Sequence, residues 1–120
     1  MYYLAWKTEN PVIRVAYAES ADGLHWSKPS LGMRSFEGSL DNNLILDLTD
    51  FGNFDNFMVF RDDNPACPPE KRYKGIAACL PGLWAWVSPD GLHFTKDSCI
   101  TENGDFDSLN VAFWDRDEKI

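Results

Sequence analysis

The sequence predicts an all-β protein. Its apolar segments are short and rich in aromatic and β-branched residues, as strands are. Turn signals separate them, among them Asn10-Pro11, Pro81-Gly82 and Pro89-Asp90-Gly91. No segment keeps helical periodicity over three turns.

In chain order, residues 2–7 and 12–19 read as strands on either side of the Asn10-Pro11 turn. Residues 20–23 form the next turn, and 25–28 read as a short outer strand ended by Pro29. Residues 44–48 are a brief apolar run, and residues 50–56 are loop-like. Residues 57–61 (Phe-Met-Val-Phe-Arg) form a strongly apolar strand. A polar loop with Pro65, Pro68 and Pro69 follows. Residues 73–80, 83–87 and 93–96 complete a run of strands, and residues 110–114 begin another.

Two stretches are near copies. Ser20-Ala21-Asp22-Gly23-Leu24-His25-Trp26-Ser27-Lys28 recurs 68 residues later as Ser88-Pro89-Asp90-Gly91-Leu92-His93-Phe94-Thr95-Lys96. A repeat at this spacing signals stacked or radially arranged units. A weaker echo links Phe60-Arg61-Asp62 with Phe113-Trp114-Asp115, 53 residues apart. The strands at 57–61, 73–80, 83–87 and 93–96 group as one four-stranded antiparallel meander, the unit of a β-propeller blade. The reading is a partial β-propeller: an incomplete blade over 1–40, a complete blade over 41–100 and the start of a third over 101–120. A chain so divided leaves sheet edges uncovered, which suggests a piece of a longer protein whose remaining blades are its partners. A two-sheet β-sandwich is the competing architecture.

Charge and composition exclude several classes. The formal net charge is −8, and an acidic surface repels phosphate backbones, so nucleic acid is not an expected partner. No run of 18 or more apolar residues is present, so no membrane helix is expected. Residues 1–7 lack the basic-then-apolar order of a signal peptide, and the sequence assigns no cellular location. Cys67, Cys79 and Cys99 are odd in number and widely spaced, which yields neither a disulfide framework nor a zinc pattern. With two histidines, at equivalent repeat positions, no metal or other cofactor is expected. The oxygen-rich stretch 102–107 lacks the spacing of a calcium loop and reads as a plain acidic loop.

The stretches Tyr17-Ala18-Glu19-Ser20-Ala21-Asp22-Gly23-Leu24-His25-Trp26, Asp41-Asn42-Asn43, Arg72-Tyr73-Lys74-Gly75, Trp86-Val87-Ser88-Pro89-Asp90-Gly91 and residues 107–115 carry a resemblance. The chain resembles the five-bladed β-propeller glycoside hydrolases related to families 32 and 43, most of all a bacterial branch of predicted glycosyl hydrolases. The resemblance covers nearly the whole chain. It implies acid/base hydrolysis of a glycosidic bond in an oligo- or polysaccharide, by carboxylates at the ends of innermost strands.

Carried over residue by residue, Phe60-Arg61-Asp62 resembles the Arg-Asp-Pro motif of family 32. Here Asp63 and Asn64 precede Pro65, so the site carboxylate is Asp62 or Asp63, with Arg61 able to brace it. The plainer reading makes both acids the opening of a polar turn. Asp107 or Asp115, flanking the next innermost strand, would add a second polar group. Asp41 and Asn110 are further substrate-binding candidates, each against a solvated-loop reading. Trp114, beside Asp115, is the candidate sugar-stacking platform. Asp22 and Asp90 read as turn residues, because Asp-Gly favours hairpins with positive φ at both central positions. The alternative function is a non-catalytic carbohydrate-binding or scaffold propeller. A glycoside phosphorylase, using Arg61 and Arg72 for phosphate, is a third reading.

Overall fold

The computed structural model describes residues 1–47, 54–79 and 81–120. The protein is all-β and divides into two compact units, Met1–Gly52 and Asn53–Ile120. The first holds a three-stranded antiparallel sheet of β1 (Tyr2–Lys7), β2 (Asn10–Tyr17) and β3 (Leu44–Asp47), in that order. The second holds β4 (Phe54–Arg61), β5 (Tyr73–Cys79), β6 (Leu83–Ser88) and β7 (Thr95–Thr101) as an antiparallel meander.

The meander follows the sequence pattern closely. β4 begins at Phe54, inside the segment read as a loop; residues 50–53 of that segment lie outside the described residues, as do Leu48 and Leu80. β7 runs to Thr101, and its largely exposed side chains suit an outer strand.

Two expected strands are absent. Residues 25–28 do not form one: Glu19 and Ser27 make an isolated bridge and the pairing stops there. The equivalent pair in the second unit, Val87 and Thr95, opens the whole β6–β7 ladder. In the first unit Pro29, which has no N–H to donate, follows two residues later. The place beside β2 goes instead to β3, whose Leu44, Ile45 and Leu46 are buried. Residues 110–114 are likewise not a strand, because no neighbouring strand among the described residues pairs with them.

The repeated sequence folds as a repeated turn. Ser20 Oγ accepts from the Gly23 N–H at 2.8 Å, and Asp22 Oδ1 accepts from the Leu24 and His25 N–H groups at 2.8 Å each. Asp22 Oδ2 meets His25 Nδ1 at 2.6 Å. In the second copy Ser88 accepts from Gly91 at 2.9 Å, Asp90 from Leu92 and His93 at 2.9 Å each, and His93 meets Asp90 at 2.7 Å. Of the Asp-Gly pairs only the glycines take positive φ, 76° at Gly23 and 79° at Gly91. The expected two-residue hairpin is therefore replaced by a loop held by side chains, which suits Ser and Asp.

The core of the second unit is aromatic. The Phe57 ring meets Trp86 edge-on at 5.7 Å and Phe94 edge-on at 5.3 Å. Trp86 is fully buried, and Gly75 lies opposite it on β5. A Cβ on Gly75 would collide with Phe57 Cζ and lie 2.7 Å from its Cε2. The ring is buried and pinned from two sides, so it has little room to yield.

Gly75→Ala should therefore destabilise the second unit by about 1–3 kcal/mol. Urea unfolding followed by tryptophan fluorescence measures this, and an unchanged midpoint contradicts the packing. Ser88 is fully buried and Ser20 is not. Ser88→Ala should cost about 1–3 kcal/mol by orphaning buried N–H groups, and Ser20→Ala less than about 1 kcal/mol. Equal losses in the same unfolding experiment would show that burial does not set the difference.

Candidate functional site

The end of β4 decides which aspartate faces outward. Just past the end of β4, Asp62 turns inward, whereas Arg61 and Asp63 lie beside each other and are more exposed. Asp62 is buried, at 3% exposure, and its carboxylate is ion-paired with Lys74 on β5. Its Oδ1 also accepts from the Asn64 N–H at 2.9 Å. Burial pushes the Asp62 pKa up, but Lys74 and the Asn64 N–H outweigh it, and the net shift is downward. Of the two aspartates that the sequence offered Arg61 to brace, the structure sets it beside Asp63 and not Asp62. Arg61 Nε lies 3.6 Å from Asp63 Oδ1.

The loop between β4 and β5 is laced shut. The Asp62 N–H donates to the Arg72 carbonyl at 2.8 Å. The Arg72 guanidinium donates to the Asp62 carbonyl at 2.9 Å and to the Cys67 carbonyl at 3.2 Å. Asn64 Oδ1 accepts from the Ala66 N–H, and the Asn64 carbonyl from the Cys67 N–H, both at 2.9 Å. A short 3-10 helix, Pro69–Lys71, follows, and Lys71 Nζ reaches Asp97 on β7 at 2.7 Å. Burial pushes the Cys67 thiol up, so this buried cysteine stays protonated.

The strapped loop forms one wall of a cleft of about 520 Å³. Asp63, Asn64, Pro65 and Ala66 line one side, and Trp114, Arg116 and Lys119 line the other. Arg116 donates to Asp63 Oδ2 at 2.6 Å and bridges the two walls. This guanidinium holds the Asp63 carboxyl below its ordinary range, so Asp63 is ionised at neutral pH. Trp114 is half-buried.

The other candidates lie elsewhere. Asp115 Oδ1 accepts from the N–H groups of Asp117 at 2.8 Å and Glu118 at 3.0 Å. These hydrogen bonds, Glu118's first, hold its pKa down and give it the work of shaping the turn that presents Arg116. Asp107 is exposed and does not line the cleft. Asn110 donates from its amide to the Ser108 carbonyl at 2.9 Å. Asp41 belongs to the first unit, is exposed, and donates its N–H to Ser39 Oγ at 3.1 Å. Among the described residues no three His, Cys, Asp or Glu side chains gather as a metal site.

Arg116, Lys119, Asn64 and Lys74 were missed from sequence. Only Lys74 and Arg116 had a readable signal: Lys74 lies on the strand after the acidic loop, and Arg116 follows Asp63 at the same 53-residue spacing as the Phe60/Phe113 echo.

Chemically, the cleft joins a planar aromatic wall to an ionised carboxylate, a guanidinium and an amide. Asp63 can accept hydrogen bonds from hydroxyl groups, while Arg116 and Asn64 can donate to ring and hydroxyl oxygens. No protein family, curated protein or solved structure compared with the chain matches it.

Lys74→Met would strand the buried Asp62 charge. The expected loss is about 2–3 kcal/mol at neutral pH, below the usual range for a fully buried pair because Lys74 is a third exposed. The wild-type Asp62 pKa is depressed on folding, so its contribution is present above the unfolded pKa and fades as pH falls through the folded one. In the variant, Asp62 is relieved by taking a proton. The stability gap between the two proteins should therefore narrow on acidification. A gap constant with pH in thermal unfolding would contradict the pair.

Proposed function

We propose that the chain is a carbohydrate-recognition protein of the β-propeller type, and that the Asp63–Trp114–Arg116 cleft is its saccharide site. The observation that carries this is the pairing of a half-buried Trp114 with an ionised carboxylate and a guanidinium in one cleft. Apolar sugar faces pack on aromatic rings, and sugar hydroxyls satisfy fixed charged groups. The four-stranded meander β4–β7 has the strand order of a propeller blade, and the repeated turn after β2 and β6 supports reading β1–β3 as a second, related unit.

The reading stops short of hydrolysis on chemical grounds. A glycosidase needs a protonated acid and an ionised partner, about 5–10 Å apart. Asp63 is the one carboxylate side chain among the described residues lining the cleft, and it is held ionised. An ionised carboxylate can serve as base, nucleophile or hydroxyl anchor, but not as the acid. The resemblance to family 32 and 43 enzymes favours a second reading. In it the cleft is the substrate-gripping part of a glycoside hydrolase whose acid this chain does not place beside Asp63.

Isothermal titration against oligosaccharides of xylose, arabinose, fructose and glucose tests both. The expected result is binding of at least one, weakened at least about tenfold by Trp114→Ala and by Asp63→Asn, and unchanged by Asp107→Asn. Chromatography of the bound sugar should recover it intact. Cleaved sugar, with cleavage abolished in Asp63→Asn, would favour the hydrolase. Binding indifferent to Trp114→Ala would overturn the site.

A further inference from the structure

The chain carries a formal net charge of −8, yet the cleft beside Trp114 is locally positive. Its lining holds two cations, Arg116 and Lys119, against one anion, Asp63. Arg61 is not part of the lining but adds a further positive charge 3.6 Å from the same carboxylate. A positive cleft on an acidic protein draws anions to one place, because the rest of the surface repels them.

The turn after Trp114 sorts its charges by sign. Residues 115–119 read Asp-Arg-Asp-Glu-Lys, three acids and two bases. Both bases line the cleft, and none of the acids does. Asp115 is occupied within the turn, where its Oδ1 accepts from the Asp117 and Glu118 N–H groups. Asp117 and Glu118 are exposed outside the cleft lining. The chain reverses over these residues. The Asp115 N–H donates to the Ile120 carbonyl at 2.7 Å, and Lys119 takes φ 59°, a conformation lysine seldom adopts. Lys119 thereby joins Arg116 on the same wall.

The two cations differ in what they already hold. Arg116 gives one donor to Asp63 at 2.6 Å, and its side chain is otherwise largely exposed. Asp63 is met by two guanidinium groups, so its own charge is balanced. Lys119 meets no carboxylate within ion-pair distance among the described residues. An exposed ammonium attracts an anion placed beside it, and the Arg116 guanidinium has N–H groups left to hold the same anion. A ligand bound there also has to offer a ring face to Trp114 and hydroxyls to Asp63. A uronic acid combines these features: a sugar ring, hydroxyl groups and a carboxylate ionised at neutral pH. Resting on the saccharide site proposed above, we infer that its preferred ligand is an acidic oligosaccharide, whose uronate carboxylate is held by Lys119 and the remaining N–H groups of Arg116.

Isothermal titration of the full chain with trigalacturonate and with its fully methyl-esterified form, which keeps the rings and loses the charge, tests the inference. The acid should bind at least about tenfold more tightly than the ester in about 50 mM salt, and the gap should shrink as salt rises toward about 0.5 M. Lys119→Met should close most of the gap by weakening the acid, with the ester unaffected. Lys96→Met, which removes the same charge from β7 outside the cleft, should leave the gap in place. Equal affinities for acid and ester, or a gap that survives Lys119→Met, would overturn the inference and leave the saccharide site standing. Inorganic phosphate bound as tightly as the acid would mark a bare anion site and likewise overturn it. Binding of neither form, with a neutral oligosaccharide still bound, would sink the acidic preference alone; no sugar bound at all would sink the site with it.

Discussion

The ion pair between Asp62 and Lys74 is the constraint on which the cleft depends. It joins the end of β4 to the start of β5 and turns the Asp62 carboxylate inward. Asp63, the next residue, is the more exposed carboxylate, and Arg116 grips it. Arg72 then binds the Asp62 and Cys67 carbonyls and holds the loop as a solid wall. Two adjacent acids thus stand in opposite settings: one is buried in an ion pair, the other lines the cleft. Their separation comes from their partners, Lys74 for Asp62 and Arg116 for Asp63.

The same frame organises the aromatic core. Gly75 follows Lys74 directly and leaves space for Phe57, which in turn supports Trp86 and Phe94. The repeated Ser-x-Asp-Gly-Leu-His turn completes that arrangement in the second unit, where Phe94 is covered. In the first unit the identical hydrogen-bond pattern forms with its aromatic residue half in solvent. The turn is therefore built by its own side chains, not by what packs against it.

How much of this was legible in the sequence follows from the range of each interaction. Alternating aromatic and β-branched residues revealed β1, β2 and the β4–β7 meander, because that pattern is local. The turn repeat was legible for the same reason, although its dihedral angles were not: the Asp and Ser side chains replaced the backbone hydrogen bonds of a tight hairpin. β3 was obscure, since three consecutive apolar residues, Leu44 to Leu46, carry no period. The strands expected at 25–28 and 110–114 failed because a strand requires a neighbour, and propensity does not supply one. At the site, Trp114 and the Asp62/Asp63 pair stood out as residue types. Their division of roles did not, because it rests on Lys74 and Arg116, 12 and 53 residues away from their partners.

The proposed saccharide site lies where the strapped loop meets the turn that follows Trp114, and it must be an occupied surface in solution. The most direct measurement is a two-dimensional amide NMR titration with the same neutral oligosaccharides. The account predicts that shifts concentrate at residues 63–66 and 114–119 and at the Trp114 indole N–H, while the amides of β1–β3 stay in place. Shifts confined to other surfaces, or none with any sugar, would contradict it.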